Sequence, residues 1–90
     1  MSALDDALLD ELALRSRLNA LVHERSEARQ EAERLRVRAG AAGADPDLGA
    51  LAERWEAVVA RVGTELEHQR SRLREQEALV ARLRAEAGGA

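Results

Sequence analysis

The chain has 90 residues, enough for one domain at most, and 34% of them are charged while only 1% are aromatic. It contains no cysteine, which excludes a disulfide framework, a thiolate metal site and a cysteine nucleophile. The net charge is −3 with carboxylates and cations interspersed, so the pattern lacks the basic stripe of a nucleic-acid-binding protein, and we expect no nucleic-acid partner.

Ala, Arg, Glu and Leu dominate the composition, which is typical of long helices and coiled coils. All 14 basic residues are arginine, which together with the high Ala and Gly content favours a GC-rich bacterial genome. No run of apolar residues is long enough for a membrane-spanning helix, so no membrane partner is predicted. The first residues lack the basic and apolar regions of a signal peptide, and we expect a cytoplasmic protein.

The first predicted element is a helix over residues 3–39. Ser2 and Asp5 have the spacing of a capping box at its start. Apolar and small residues then recur at alternating spacings of three and four, the pattern of a coiled-coil seam. This seam consists of Leu4, Ala7, Glu11, Leu14, Leu18, Leu21, Arg25, Ala28, Ala32, Leu35 and Ala39, of which Glu11 and Arg25 are polar.

Four more apolar side chains of this helix lie off the seam: Leu8, Leu9, Leu12 and Val22. Between Leu4 and Leu14 the helix is therefore apolar on nearly every side. We expect this end to be covered by another copy of the chain, with a groove for a different partner as the alternative.

Residues 40–45 are predicted to form a turn. Gly40 follows Arg36 and Arg38, and a glycine after basic residues is typical of a helix end that closes in the left-handed conformation. Asp45 is expected to cap the next helix, with Pro46 at its first position, where the missing N–H costs nothing.

The second predicted helix covers residues 46–87. Its seam consists of Leu48, Ala52, Trp55, Val59, Val62, Leu66, Gln69, Leu73, Gln76, Val80, Leu83 and Ala87. Trp55 is therefore predicted to be a core residue, facing Ala32. A parallel stripe widens the apolar face beyond what one partner helix covers, and it consists of Leu51, Val58 and Leu79. Gly63 indicates either a kink or a close helix approach.

Folding the two seams back on each other through the turn predicts an antiparallel register. Large side chains then face small ones in several layers, as interdigitated cores require. The polar residues Glu11 and Gln76 fall in one layer. Some flanking pairs carry like charges in this register, since Arg17 would lie near Arg72 and Glu24 near Glu65. Two explanations are open: the register is slightly shifted, or a second hairpin supplies the opposite charges.

The predicted fold is all-α: one domain over residues 1–90, a two-helix antiparallel coiled-coil hairpin that dimerises into a four-helix bundle. Polar seam residues can fix the register and the oligomeric state, as they do in coiled coils. Those candidates are Glu11, Arg25, Gln69 and Gln76. The residues predicted to form the second interface are Leu8, Leu12, Leu51, Val58 and Leu79.

One stretch of the first helix, from Leu14 to Gly40, resembles the first long helix of the all-helical chorismate mutases. Leu14, Leu18, Leu21-Val22, Glu24-Arg25, Arg36 and Gly40 carry the resemblance. It implies that Arg25 and Arg36 bind a dicarboxylate substrate, which would give the buried seam arginine an anionic partner. Another arginine of that family falls on Leu8 here, and its third helix has no clear counterpart.

A third hypothesis is a carboxylate–histidine metal site. Glu65 and His68 have the spacing found in di-iron bundles, and Glu24, His23 and Glu27 would be close by. Both histidines, however, fall on outward positions, which favours a solvated charged face, and we expect no metal or cofactor.

The function predicted first is therefore a non-enzymatic protein–protein interaction or assembly module. Its partner is itself, as a homodimer, and possibly another protein. No catalytic residue is assigned, because the serines lack a plausible histidine–aspartate pair and the turn glycines lack the lysine and the strand of a phosphate loop.

Overall fold

Two long helices and no strand make up the part of the chain that the computed structural model describes, Ser2–Gly88. The helix α1 spans Ala3–Ala39 and the helix α2 spans Asp47–Gly88. The all-helical prediction is confirmed, with α2 beginning and ending one residue later than expected. Neither described helix has a stretch long and apolar enough to cross a bilayer. Three residues of the predicted domain lie outside the described part: Met1, Gly89 and Ala90.

The start of α1 is closed by the predicted capping box. The backbone N–H of Asp5 donates to Ser2 Oγ at 3.1 Å, and the N–H of Ser2 donates to Asp5 Oδ2 at 3.4 Å. These bonds satisfy two of the donors that a helix leaves free at its start. Asp5 and Asp6 also place negative charge in the first turn, where the helix dipole is positive.

The turn differs from the prediction in its glycines. Gly40 ends α1 in the right-handed region, with φ −81° and ψ −6°, and Gly43 is the residue with positive φ, at 74°. The left-handed step therefore occurs three residues later than expected, because the Gly40 N–H still bonds to the Arg36 carbonyl at 3.1 Å and continues the helical pattern. Asp45 caps α2 as predicted, its Oδ1 accepting from the Asp47 N–H at 2.9 Å.

The two helices pack along each other as an antiparallel hairpin, a rod of 73 × 16 × 14 Å. Every buried residue of Ser2–Gly88 lies on one of the two predicted seams, which confirms the seams except at Trp55 and Ala87, whose side chains are exposed. The buried residues are Ala7, Leu21, Ala28, Ala32 and Leu35 of α1 and Ala52, Val62, Leu66, Gln69 and Val80 of α2. Leu21, Val62 and Leu66 form the central cluster, against which Leu18 and Val58 pack.

Trp55 is not a core residue, and that prediction was wrong. Its side chain is 39% exposed, whereas Ala32, the residue predicted to face it, is buried. A seam between only two helices is one side chain deep. An indole is larger than this layer can enclose, so it projects past the edge of the seam.

Ion pairs on both sides of the seam agree with its register. Arg17 Nη2 lies 3.1 Å from Glu65 Oε1, and Arg36 Nε donates to Glu56 Oε1 at 3.1 Å. The like charges expected in this register do lie near each other, since Glu24 and Glu65 border one pocket and Arg17 and Arg72 border another, but Glu65 pairs with Arg17. The long side chain of Arg17 reaches along the seam to the Glu65 carboxylate. Neither a shifted register nor a second hairpin is therefore needed to compensate the like charges.

Candidate interaction surface

The side chains that flank the seam fall on two opposite sides of the hairpin. One side carries the ion pairs Arg15–Glu77, at 3.8 Å, and Arg36–Glu56. The other side carries Arg17–Glu65. Because residues seven apart stay on one side of a coiled-coil seam, these pairs assign every other flanking residue to a side.

We use the name α1 face for the apolar residues on the side of Arg36–Glu56. Leu8 and Val22 lie on this side, because they precede Arg15 and Arg29 by seven residues each. Leu12 lies one helical turn after Leu8. The outermost members, Leu9 and Val37, extend this face around α1. The α1 face therefore consists of Leu8, Leu9, Leu12, Val22 and Val37, and only Leu8 is half-buried.

The α2 face lies on the opposite side, with Arg17–Glu65, and consists of Leu51, Val58 and Leu79. Leu51, Val58 and Leu79 occur at multiples of seven from Glu65. Val58 and Leu79 are half-buried by the hairpin itself, and Val58 packs on the central cluster. The five residues predicted to form one second interface are thus divided between two faces.

Sequence reasoning did not include Leu9, Val22 and Val37 in the predicted interface, although Leu9 and Val22 stood out as apolar residues off the seam. Among the large apolar side chains of Ser2–Gly88, Val37 is the most exposed, at 77%, and Leu12 follows at 64%. The signal that could have found Val37 is its spacing of 28 residues, four heptads, from Leu9.

A mostly apolar groove of about 710 Å³ lies on the α1 side near the turn. Ala32, Val37 and Val59 form its apolar wall, and two arginines and two glutamates border it: Arg29, Arg36, Glu33 and Glu56. The carbon stems of arginines add apolar surface while their guanidinium groups remain in water. The groove is therefore an apolar surface bordered by charges of both signs, and Arg36 is already paired with Glu56.

The two arginines of the chorismate mutase resemblance are not brought into one pocket. Arg36 pairs with Glu56 at the groove, whereas Arg25 is half-buried and forms no ion pair within Ser2–Gly88. No protein-family model matches the chain, and it has no significant match among the curated proteins or the solved structures. The resemblance therefore remains one between short stretches of helix.

The hypothetical metal ligands are also dispersed. His23 Nε2 lies 3.1 Å from Glu27 Oε1 on the same helix, and Glu65 is held by Arg17. Within Ser2–Gly88, no three His, Asp or Glu side chains of this single chain converge in a manner that could hold a metal ion. His68 is exposed to solvent on α2.

The polar seam residues have different surroundings. Gln76 Nε2 donates to the backbone carbonyl of Ala7 at 2.9 Å, and Glu11 pairs with Arg15 at 3.5 Å on its own helix. Gln69 is buried, with only 8% of its surface exposed, and its Oε1 has no hydrogen-bond partner within the described chain. A buried acceptor without a donor destabilises the fold, so Gln69 is the least satisfied residue of the core.

Proposed function

We propose that this chain is a self-associating helical hairpin that acts as a protein–protein interaction or assembly module. The observation that carries the proposal is the set of large apolar side chains that the hairpin leaves exposed. They are Leu9, Leu12, Val22, Val37, Leu51 and Trp55.

The shape of the hairpin explains why these side chains stay in water. A single helix with its side chains is roughly 10–12 Å across, so a rod of 16 × 14 Å in cross-section has no third layer that could cover them. Large apolar side chains grouped on the surface of a small protein favour a site of interaction. A second hairpin would bury part of this surface by completing a four-helix bundle, the arrangement that we propose, and a different protein is the alternative partner.

Thermal unfolding at several protein concentrations tests this function. If only the folded chain self-associates, its unfolding temperature rises with each tenfold step in concentration. Far-UV circular dichroism follows the loss of helix. An unfolding temperature that does not depend on concentration contradicts self-association.

A further inference from the structure

We infer that two copies of the hairpin associate through the side that carries Arg17–Glu65, with their turns at opposite ends of the assembly. This inference rests on the proposed self-association and specifies its surface, its orientation and the charge pairs between the two copies.

Two layers of like charge lie next to each other on this side of the hairpin. Arg17 and Arg72 border one pocket. Glu24 and Glu65, each seven residues nearer the turn, border the next pocket. The ion pair Arg17–Glu65 joins the layers diagonally and uses one residue of each. Arg72 and Glu24, on the other diagonal, are exposed and form no ion pair within Ser2–Gly88. Both can therefore pair with a second copy without breaking a contact of the hairpin.

The order of the two layers selects one orientation. A two-fold axis that crosses the rod between the layers places the basic layer of each copy on the acidic layer of the other. Arg72 then meets Glu65 of the second copy, and Glu24 meets Arg17 of the second copy. A two-fold axis along the rod would leave both turns at the same end and would stack each layer on its own counterpart, like charge on like charge. Because juxtaposed like charges oppose association, the charges favour turns at opposite ends.

The half-buried residues of the α2 face have the same symmetry. Val58 precedes Glu65 by seven residues, and Leu79 follows Arg72 by seven. The crossing axis, midway between Glu65 and Arg72, places Val58 of each copy beside Leu79 of the other. This contact removes apolar surface that the single hairpin leaves in water. On α1 the same axis passes next to Ala20, an exposed residue whose small side chain lets two helices approach.

The charge pairs nearest the axis decide the pairing. The four pairs that join Arg72 to Glu65 and Arg17 to Glu24 lie between the two Val58–Leu79 contacts, which shield them from water and so strengthen them. Exposed charges further out are of both signs, and such pairs contribute little. They are Arg61 with Glu75, Arg54 with Arg82, and Asp10 with Glu31, which Arg34 already neutralises at 2.7 Å.

Charge reversal tests the surface. Arg72→Glu alone and Glu65→Arg alone each place like charges across the axis, so light scattering is expected to give a monomer for both. An equimolar mixture should restore the dimer, because each variant supplies the charge that the other has lost. The matched control Arg70→Glu makes the same change on the opposite side of the hairpin, seven residues before Glu77, and should remain a dimer.

All these positions are exposed, so helicity by circular dichroism should be retained. A dimeric Arg72→Glu chain, a monomeric Arg70→Glu chain or a mixture that stays monomeric overturns this surface, and the dimeric wild type then keeps self-association intact. A monomeric wild-type chain overturns both.

Single cysteines test the orientation, because the chain has none of its own. Arg61 and Glu75 are exposed and 14 residues apart, on either side of the axis. Copies of either position then lie roughly 20 Å apart along the rod at 1.5 Å of rise per residue, whereas Arg61 of one copy lies level with Glu75 of the other. A short bismaleimide is therefore expected to cross-link a mixture of Arg61→Cys and Glu75→Cys chains, and neither variant alone. Cross-linking of either variant alone, or none in the mixture, overturns the orientation with turns at opposite ends.

Discussion

Gln76 donates its side-chain amide to the backbone carbonyl of Ala7 across the hairpin, at 2.9 Å. Gln69, one heptad earlier on the same seam, leaves its Oε1 buried and without a partner within the described chain. Two identical side chains at equivalent positions therefore differ in whether their polar atoms are satisfied, and this difference gives a matched experiment.

We expect Gln69→Leu to raise the free energy of unfolding by about 1–3 kcal/mol, because it removes an unsatisfied acceptor and adds apolar packing. The matched variant Gln76→Leu should gain less stability than Gln69→Leu, because it also removes an existing hydrogen bond. Urea unfolding at one fixed protein concentration measures both. A loss of stability in Gln69→Leu contradicts the assignment of Gln69 as an unsatisfied core residue.

Replacing Trp55 by alanine should lower the free energy of unfolding less than the size of the indole suggests. Leu66 is fully buried, so Leu66→Ala is expected to cost about 2–5 kcal/mol. Trp55 is partly in solvent, and we expect Trp55→Ala to cost less than Leu66→Ala in the same urea unfolding experiment. The opposite order would mean that the indole is enclosed in solution, by the other helix or by a second copy.

The two turn glycines should respond differently to a methyl group. Gly43 has a φ of 74°, so Gly43→Ala is expected to lower stability by about 1 kcal/mol. Gly40 is right-handed, and a Cβ there would meet only ordinary contacts, the nearest being the Arg36 carbonyl at 3.6 Å. Gly40→Ala should therefore be neutral or slightly stabilising. Thermal unfolding of both variants measures the difference. Equal losses of stability would contradict the assignment of the left-handed conformation to Gly43 and not to Gly40.

Arg25 lies on the seam, half-buried and with no ion pair in the described part of the chain. Replacing it by leucine should raise the unfolding temperature, because a charge in the seam is exchanged for apolar packing. We also expect a less uniform oligomer, since single polar seam residues fix register. Thermal unfolding and light scattering measure the two effects. An unfolded Arg25→Leu chain would show that Arg25 has a partner essential to the fold.

The sequence predicts the seam well because burial in a two-helix hairpin follows directly from spacing. Leu21 and Leu66 are found where the alternating pattern expects them, and Ser2 and Asp5 form the expected cap. Trp55 could not be placed in this way, because spacing gives the direction of a side chain but not the room available to it. The choice between Gly40 and Gly43 for the left-handed residue depends on backbone bonds that composition does not specify.

The interaction surface is partly accessible to sequence reasoning. Exposed leucines such as Leu12 can be found from their position off the seam. Their division into two faces follows from the side of the seam on which each residue lies, and the cross-helix ion pairs locate those sides. Once Arg17–Glu65 and Arg36–Glu56 are known, the seven-residue spacing alone separates Leu8 from Leu51.

The mass of the wild-type chain in solution tests self-association most directly. Size-exclusion chromatography coupled to light scattering at micromolar concentration is expected to give twice the chain mass of 9.8 kDa. A stable species of 9.8 kDa would contradict the proposal that the exposed apolar faces are covered by a second copy.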